Sequence, residues 1–166
     1  MSFTLRDATE IDLPAVLAIY NNEVLTGTAT FDLEPRTLEQ QRAWLMEHRA
    51  PYCAVVAVDD SGIVLGFGAL SPFRAKPGYR YSAEDTVYVR PEHQRRGVGR
   101  LLLEGLLRRA RAGGFHTVLG LIEAENVASI ELHRALGFVE AGREREVGFK
   151  FGRWLDVVTV QLVLTG

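Results

Sequence analysis

The spacing of apolar positions changes several times along the chain, and each change marks an element. Phe3-Thr4-Leu5-Arg6 alternates and predicts a short strand. Val16, Ile19, Tyr20 and Val24 then recur at helical spacing, with Asp12 as the predicted cap and Pro14 in the first turn. Residues 26–36 have no clean period and read as a loop, in which Phe31 either covers the core or walls a substrate pocket. Thr37-Leu38-Glu39-Gln40 has the capping-box form and predicts a helix to about His48 or Arg49. The apolar runs 52–58 and 63–70 flank Asp59-Asp60-Ser61-Gly62, which predicts an antiparallel hairpin. Cys53 reads as a small buried hydrophobe in its first strand.

Residues 71–82 form a loop with two prolines, three aromatics and three cations, a content that suits recognition better than plain connection. A strand over 84–89 follows, and then a helix over 97–112. Val98, Leu102, Leu106 and Ala110 line one stripe of that helix, and Gly113-Gly114 stops it. A strand over 116–122, a helix over 128–136 closed by Gly137-Phe138, and strands over 139–149 and 154–164 complete the chain. With no repeat, low-complexity stretch or linker, residues 1–166 read as a single domain of mixed α/β class with antiparallel hairpins.

Composition narrows the function. Apolar residues make 47% and charged residues 24% of the chain, as in soluble globular proteins. The net charge of −2 argues against a dedicated nucleic-acid binder, although a module using the arginines of helix 97–112 stands as an alternative. One cysteine permits no internal disulfide, the N-terminus lacks an apolar signal region, and no run is long enough to span a membrane. A cytoplasmic protein is expected. His48, His93, His116 and His133 lack metal-ligand spacing, so no metal is expected.

The chemistry concentrates at Val87-Tyr88-Val89 and the following Gln94-Arg95-Arg96-Gly97-Val98-Gly99-Arg100. Strand, glycine turn and helix N-terminus aim unpaired backbone amides at one point, which suits a phosphate or pyrophosphate. Gly97 and Gly99 let the backbone approach the anion closely. Arg100 follows Gly99 where a P-loop needs Lys, and Leu102 stands where a dinucleotide fingerprint needs Gly or Ala, so both readings fail.

The segment resembles the Q/R-x-x-G-x-G/A loop of the GNAT superfamily of N-acetyltransferases, which holds the pyrophosphate of acetyl-CoA. The resemblance covers essentially the whole chain and implies that family's fold, a mostly antiparallel sheet with helices on both faces. Asn126-Val127-Ala128-Ser129 through His133 to Leu136-Gly137-Phe138 is similar to a second family segment, which lines the pantetheine and thioester end of the cofactor. His133 stands where most members have tyrosine. That departure, with Ser82–Val89 and Val147–Asp156, is similar to the phosphinothricin and methionine sulfoximine N-acetyltransferase branch, which acetylates the α-amine of small amino acid analogues. The resemblance implies that Val87, Tyr88, Val89 and Arg95, Arg96, Gly97, Val98, Gly99 and Arg100 hold acetyl-CoA, with Asn126 and Ser129 near the thioester. Direct transfer in a ternary complex and a homodimer follow from the same analogy, with Val157-Val158-Thr159-Val160 as surface to bury.

The acceptor side would include Phe31, Phe73, Arg74, Ala75, Lys76, Tyr79, Arg80, Glu84, Asp85 and Thr86. Glu84 is the candidate general base; alternation puts Asp85 on the opposite face of the strand, so only one of them faces the site. Glu84 could instead pair with an arginine such as Arg80. His133 is either the acid for the departing thiolate or a polar helix residue bonded to a carbonyl. Acetylation of a peptide or other amine, and silent acetyl-CoA binding, are the alternative functions.

Overall fold

The computed structural model describes residues 2–165. Its strands are β1 (Phe3–Asp7), β2 (Cys53–Asp59), β3 (Val64–Pro72), β4 (Ser82–Val89), β5 (Thr117–Glu123), β6 (Val139–Lys150) and β7 (Arg153–Val163). The α-helices are α1 (Leu13–Thr26), α2 (Leu38–Glu47), α3 (Val98–Ala112) and α4 (Val127–Ala135). The strands make one sheet in the order β1-β2-β3-β4-β5-β7-β6. Every neighbouring pair is antiparallel except β4 and β5, which run parallel at the middle.

Both faces of the sheet are covered. The α1 stripe Val16, Ile19, Tyr20 and Val24 packs with Val56, Val58 and Phe67 on one face. The α3 stripe Val98, Leu102, Leu106 and Ala110 packs with Val55, Ala57 and Ala83 on the other. Truncating a fully buried leucine such as Leu102 would cost about 2–5 kcal/mol, so these contacts fix where β4 lies. The Thr37–Gln40 capping box forms in both directions, at 3.1 and 2.8 Å.

Two expectations are corrected. Asp12 stands at the N-cap position of α1, but its carboxylate turns back to accept from the Thr9 N–H at 2.8 Å and from Arg6 at 2.7 Å. A 3-10 turn over Glu10–Asp12 precedes the helix and redirects that side chain. The apolar run Val157, Val158 and Val160 is buried inside the protomer against β5 and the core. It therefore offers no surface for association. At the β6–β7 end, by contrast, Val147, Phe149, Phe151 and Trp154 are exposed.

Candidate active site

The pairing of β4 with β5 covers Ser82–Asp85 and stops at Asp85 opposite Gly120. Beyond it β4 follows β3 as far as Val89, and β5 follows β7 as far as Glu123. The two strands part, and residues 86–89 keep one edge without a strand neighbour. Backbone groups on such an edge need partners.

Two clefts meet at the parting. The larger, about 710 Å³, is lined by Val87, Val89, Gln94, Arg95, Gly97, Gly99 and Arg100 on one side and by the start of α4 on the other. Leu101 N–H gives the first helical hydrogen bond of α3, to Gly97 O at 3.0 Å. The amides of Val98, Gly99 and Arg100 precede it and have no helical acceptor, and no side chain caps them. Arg95 and Gly97 both take positive φ, 60° and 90°, where the loop turns into the helix. A Cβ on Gly97 would stand in open space with no protein atom within 4 Å, inside the room an anion needs. The side chain of Val98 is buried in the core, so it can serve an anion only through its backbone. Arg96 is exposed and outside the lining, and Arg100 donates to Glu104 at 2.7 Å.

The smaller cleft, about 280 Å³, is lined by Thr28–Phe31, Glu84, Thr86, Tyr88, Leu121, Glu123 and the Asn126–His133 side of α4. Val87, Asn126 and Ser129 belong to both clefts, so the two communicate there. Asn126 Oδ1 accepts from the Ser129 N–H at 3.2 Å and caps α4. Among the described residues the Glu84 carboxylate has no hydrogen bond or ion pair, with Arg80 or any other group. Burial, followed by the charge of Asp85, pushes its pKa up to about 7.

Asp85 also lines the smaller cleft. Asp85 is buried towards α4, where its Oδ1 meets His133 Nε2 at 2.8 Å. His133 Nδ1 lies 2.8 Å from the Ser129 carbonyl oxygen, and its ring packs edge-on to Phe138. Both ring nitrogens are thus engaged in contacts within the protein.

Phe31 walls the smaller cleft and rests on Gly148 of β6. The 73–80 segment does not line that cleft. It leaves the sheet where Pro72 pairs with Ala83, one position from Glu84, and folds on itself. Arg74 lies over the rings of Phe73 and Tyr79 and donates to the Tyr79 hydroxyl at 3.1 Å, while Arg80 lies over Tyr81. Ala75 and Lys76 are exposed. Sequence reasoning missed Thr28, Thr30, Leu121 and Glu123. Thr28 donates to Glu123 at 2.9 Å, a contact across 95 positions that no local pattern signals. Cys53 is half-buried in β2, and burial pushes its thiol pKa up, away from nucleophilic use.

Comparison with known proteins matches this geometry to a family. The profile of the Acetyltransferase (GNAT) family matches residues 10–138. An L-methionine sulfoximine/L-methionine sulfone acetyltransferase of Pseudomonas aeruginosa is 44% identical over 165 residues, 99% of this chain and 96% of its own. A phosphinothricin N-acetyltransferase of Streptomyces coelicolor is 43% identical over 156 residues, 92% of this chain and 91% of its own. Among solved structures, a phosphinothricin acetyltransferase from Sinorhizobium meliloti in complex with AcCoA superposes with a TM-score of 0.95 at 39% identity, covering 99% of this chain and 89% of that one. With the parted strands, the glycine loop and the full-length likeness together, the chain belongs to the acetyltransferase (GNAT) family.

Proposed function

We propose that this protein transfers an acetyl group from acetyl-CoA to the α-amine of a small amino acid or analogue, of the phosphinothricin or methionine sulfoximine kind, directly within a ternary complex. The observation that carries this reading is the unpartnered Glu84 carboxylate in a cleft continuous with the anion-binding groove. The names of the relatives support the acceptor class.

The residues fit acetyl-CoA. The free amides of Val98, Gly99 and Arg100, with the room above Gly97, suit a pyrophosphate. The open edge of residues 86–89 suits an amide-bearing arm, and Asn126 and Ser129 flank its inner end. Acetyl-CoA supplies the acetyl group on a thioester, whose thiol has an ordinary pKa of about 8.5 and leaves without much acid help. Glu84 takes the proton from the acceptor ammonium, which otherwise has no lone pair for attack; general-base help of this kind is worth about 10²–10⁴ in rate. Thr28–Phe31 close the acceptor cleft, and the cations Arg74 and Arg80 beside it receive the acceptor carboxylate. We place the protein in the cytoplasm and pair it as a homodimer through the exposed Val147, Phe149, Phe151 and Trp154; light scattering at micromolar concentration reads the pairing.

Release of CoA, followed with acetyl-CoA and a panel of amino acids and analogues, tests the function. Turnover is expected with methionine sulfoximine or phosphinothricin and not with their N-blocked forms. Turnover of peptide amines alone would contradict it.

A further inference from the structure

We propose that Lys150 is a positioning residue of the acceptor cleft. From the end of edge strand β6 it fixes the backbone of the Thr28–Phe31 wall.

β6 is twelve residues long, and only Gly148 and Lys150 in it are buried. Two residues apart, they share a strand face, and both meet the α1–α2 connection. The Phe31 ring lies where a Cβ of residue 148 would stand, so only glycine lets Phe31 lie flat on the strand. Lys150 Nζ donates to Thr30 O at 2.9 Å and reaches Glu23 O at 3.5 Å. Lys150 is 3% exposed; the charges of Glu23 and Asp32 reach its ammonium, but neither forms an ion pair with it among the described residues.

A buried, unpaired cation is costly to keep, and methionine would fill similar space at no such cost. What the ammonium adds is direction. It sets donors against two carbonyls, that of Thr30 and that of Glu23 at the C-terminal end of α1, where the helix dipole favours positive charge. The Phe151 ring covers it at 5.1 Å. The wall's side chains add two ties, the Thr30 hydroxyl to Tyr20 at 2.9 Å and the Thr28 hydroxyl to Glu123 at 2.9 Å. Lys150 holds the main-chain carbonyl next to Phe31, beside the Ala29 N–H that donates to the Glu23 carboxylate at 2.9 Å. It does not line the cleft, so it acts through Thr30 and Phe31 and not on the reacting atoms.

The inference rests on the acceptor reading of the cleft. Its test is steady-state kinetics of Lys150→Met with both substrates varied, beside Gly148→Ala, which lifts Phe31 without touching the charge. Loss of a charged hydrogen bond predicts a KM for the amino acid raised by about tenfold or more. The KM for acetyl-CoA should stay within about twofold, and Gly148→Ala should shift the same acceptor constant. If Lys150→Met fails to fold, Lys150→Gln, which keeps an N–H donor, carries the same readout. An unchanged acceptor KM, a parallel rise of both constants, or failure of both variants to fold would overturn the proposal. A wild-type-like Lys150→Met beside a crippled Glu84→Gln would overturn this inference alone. A fully active Glu84→Gln would instead overturn the acceptor reading.

Discussion

His133 Nε2 and Asp85 Oδ1 stand 2.8 Å apart in the protein interior, joining α4 to β4 at the last paired position before the strands part. The Ser129 carbonyl can only accept, so His133 Nδ1 carries a hydrogen, and the contact with Asp85 then needs one proton between the two. The unit is neutral overall, whether written as imidazolium and carboxylate or as two neutral groups. Burial pushes the imidazole pKa down, but the hydrogen bond and charge of Asp85 outweigh it and leave the value raised. Stability from this pair is therefore present at acid pH and is lost as pH rises through the raised value.

Breaking such a pair leaves a buried charge unmatched. His133→Phe and Asp85→Ala are each expected to lower stability by about 3–5 kcal/mol. In urea unfolding, the double variant should cost clearly less than the sum. Additive losses would mean that the two side chains are not coupled.

Gly97→Val is expected to weaken acetyl-CoA binding by at least tenfold. Its side chain would enter the open space above the free amides, and its backbone would hold a positive φ at a cost of about 1–3 kcal/mol. Calorimetry of the folded variant reads the affinity. Wild-type affinity would remove the anion site from this loop.

Arg74 rests on Phe73 and Tyr79 with its charge unpaired by any carboxylate among the described residues. Arg74→Ala should raise KM for an α-amino acid by about 10–100-fold, as expected for a charged hydrogen bond. An amine lacking the carboxylate should be affected far less. Equal effects on both would make Arg74 a structural residue.

Much of this architecture is legible from sequence because it is local. The capping box, the helical stripes and the Gly97 turn are each written within a few consecutive residues. The acceptor wall is not. Lys150 meets Thr30 across 120 positions and Asp85 meets His133 across 48, and such pairings depend on sheet order, which no periodicity encodes. The loop 73–80 is legible only in part. Its composition signals recognition, but no local pattern shows that its aromatics and arginines stack on one another outside the lining of the smaller cleft.

Glu84 makes a thermodynamic signature expected. Its pKa rises from 4.5 to about 7 on folding, so the neutral form is favoured in the fold. The associated stability is full below about pH 4.5 and lost as pH rises through about 7, a difference of at most about 3 kcal/mol. Glu84→Gln should therefore melt roughly 5 °C higher than wild type near pH 8.5 and equally near pH 4.5. A difference independent of pH would mean that the carboxyl is not desolvated.

The most direct test of the account is the pH dependence of kcat/KM, which reports groups of the free enzyme. Wild type should lose activity as pH falls through about 7, where Glu84 takes up a proton and can no longer accept one from the acceptor. Glu84→Gln should be slower by about 10²–10⁴ at neutral pH. Its profile should lack that limb and recover as pH approaches the amine's own pKa, where free amine arrives from solution. A Glu84→Gln enzyme that keeps the limb near pH 7, or keeps wild-type activity, would contradict Glu84 as the base.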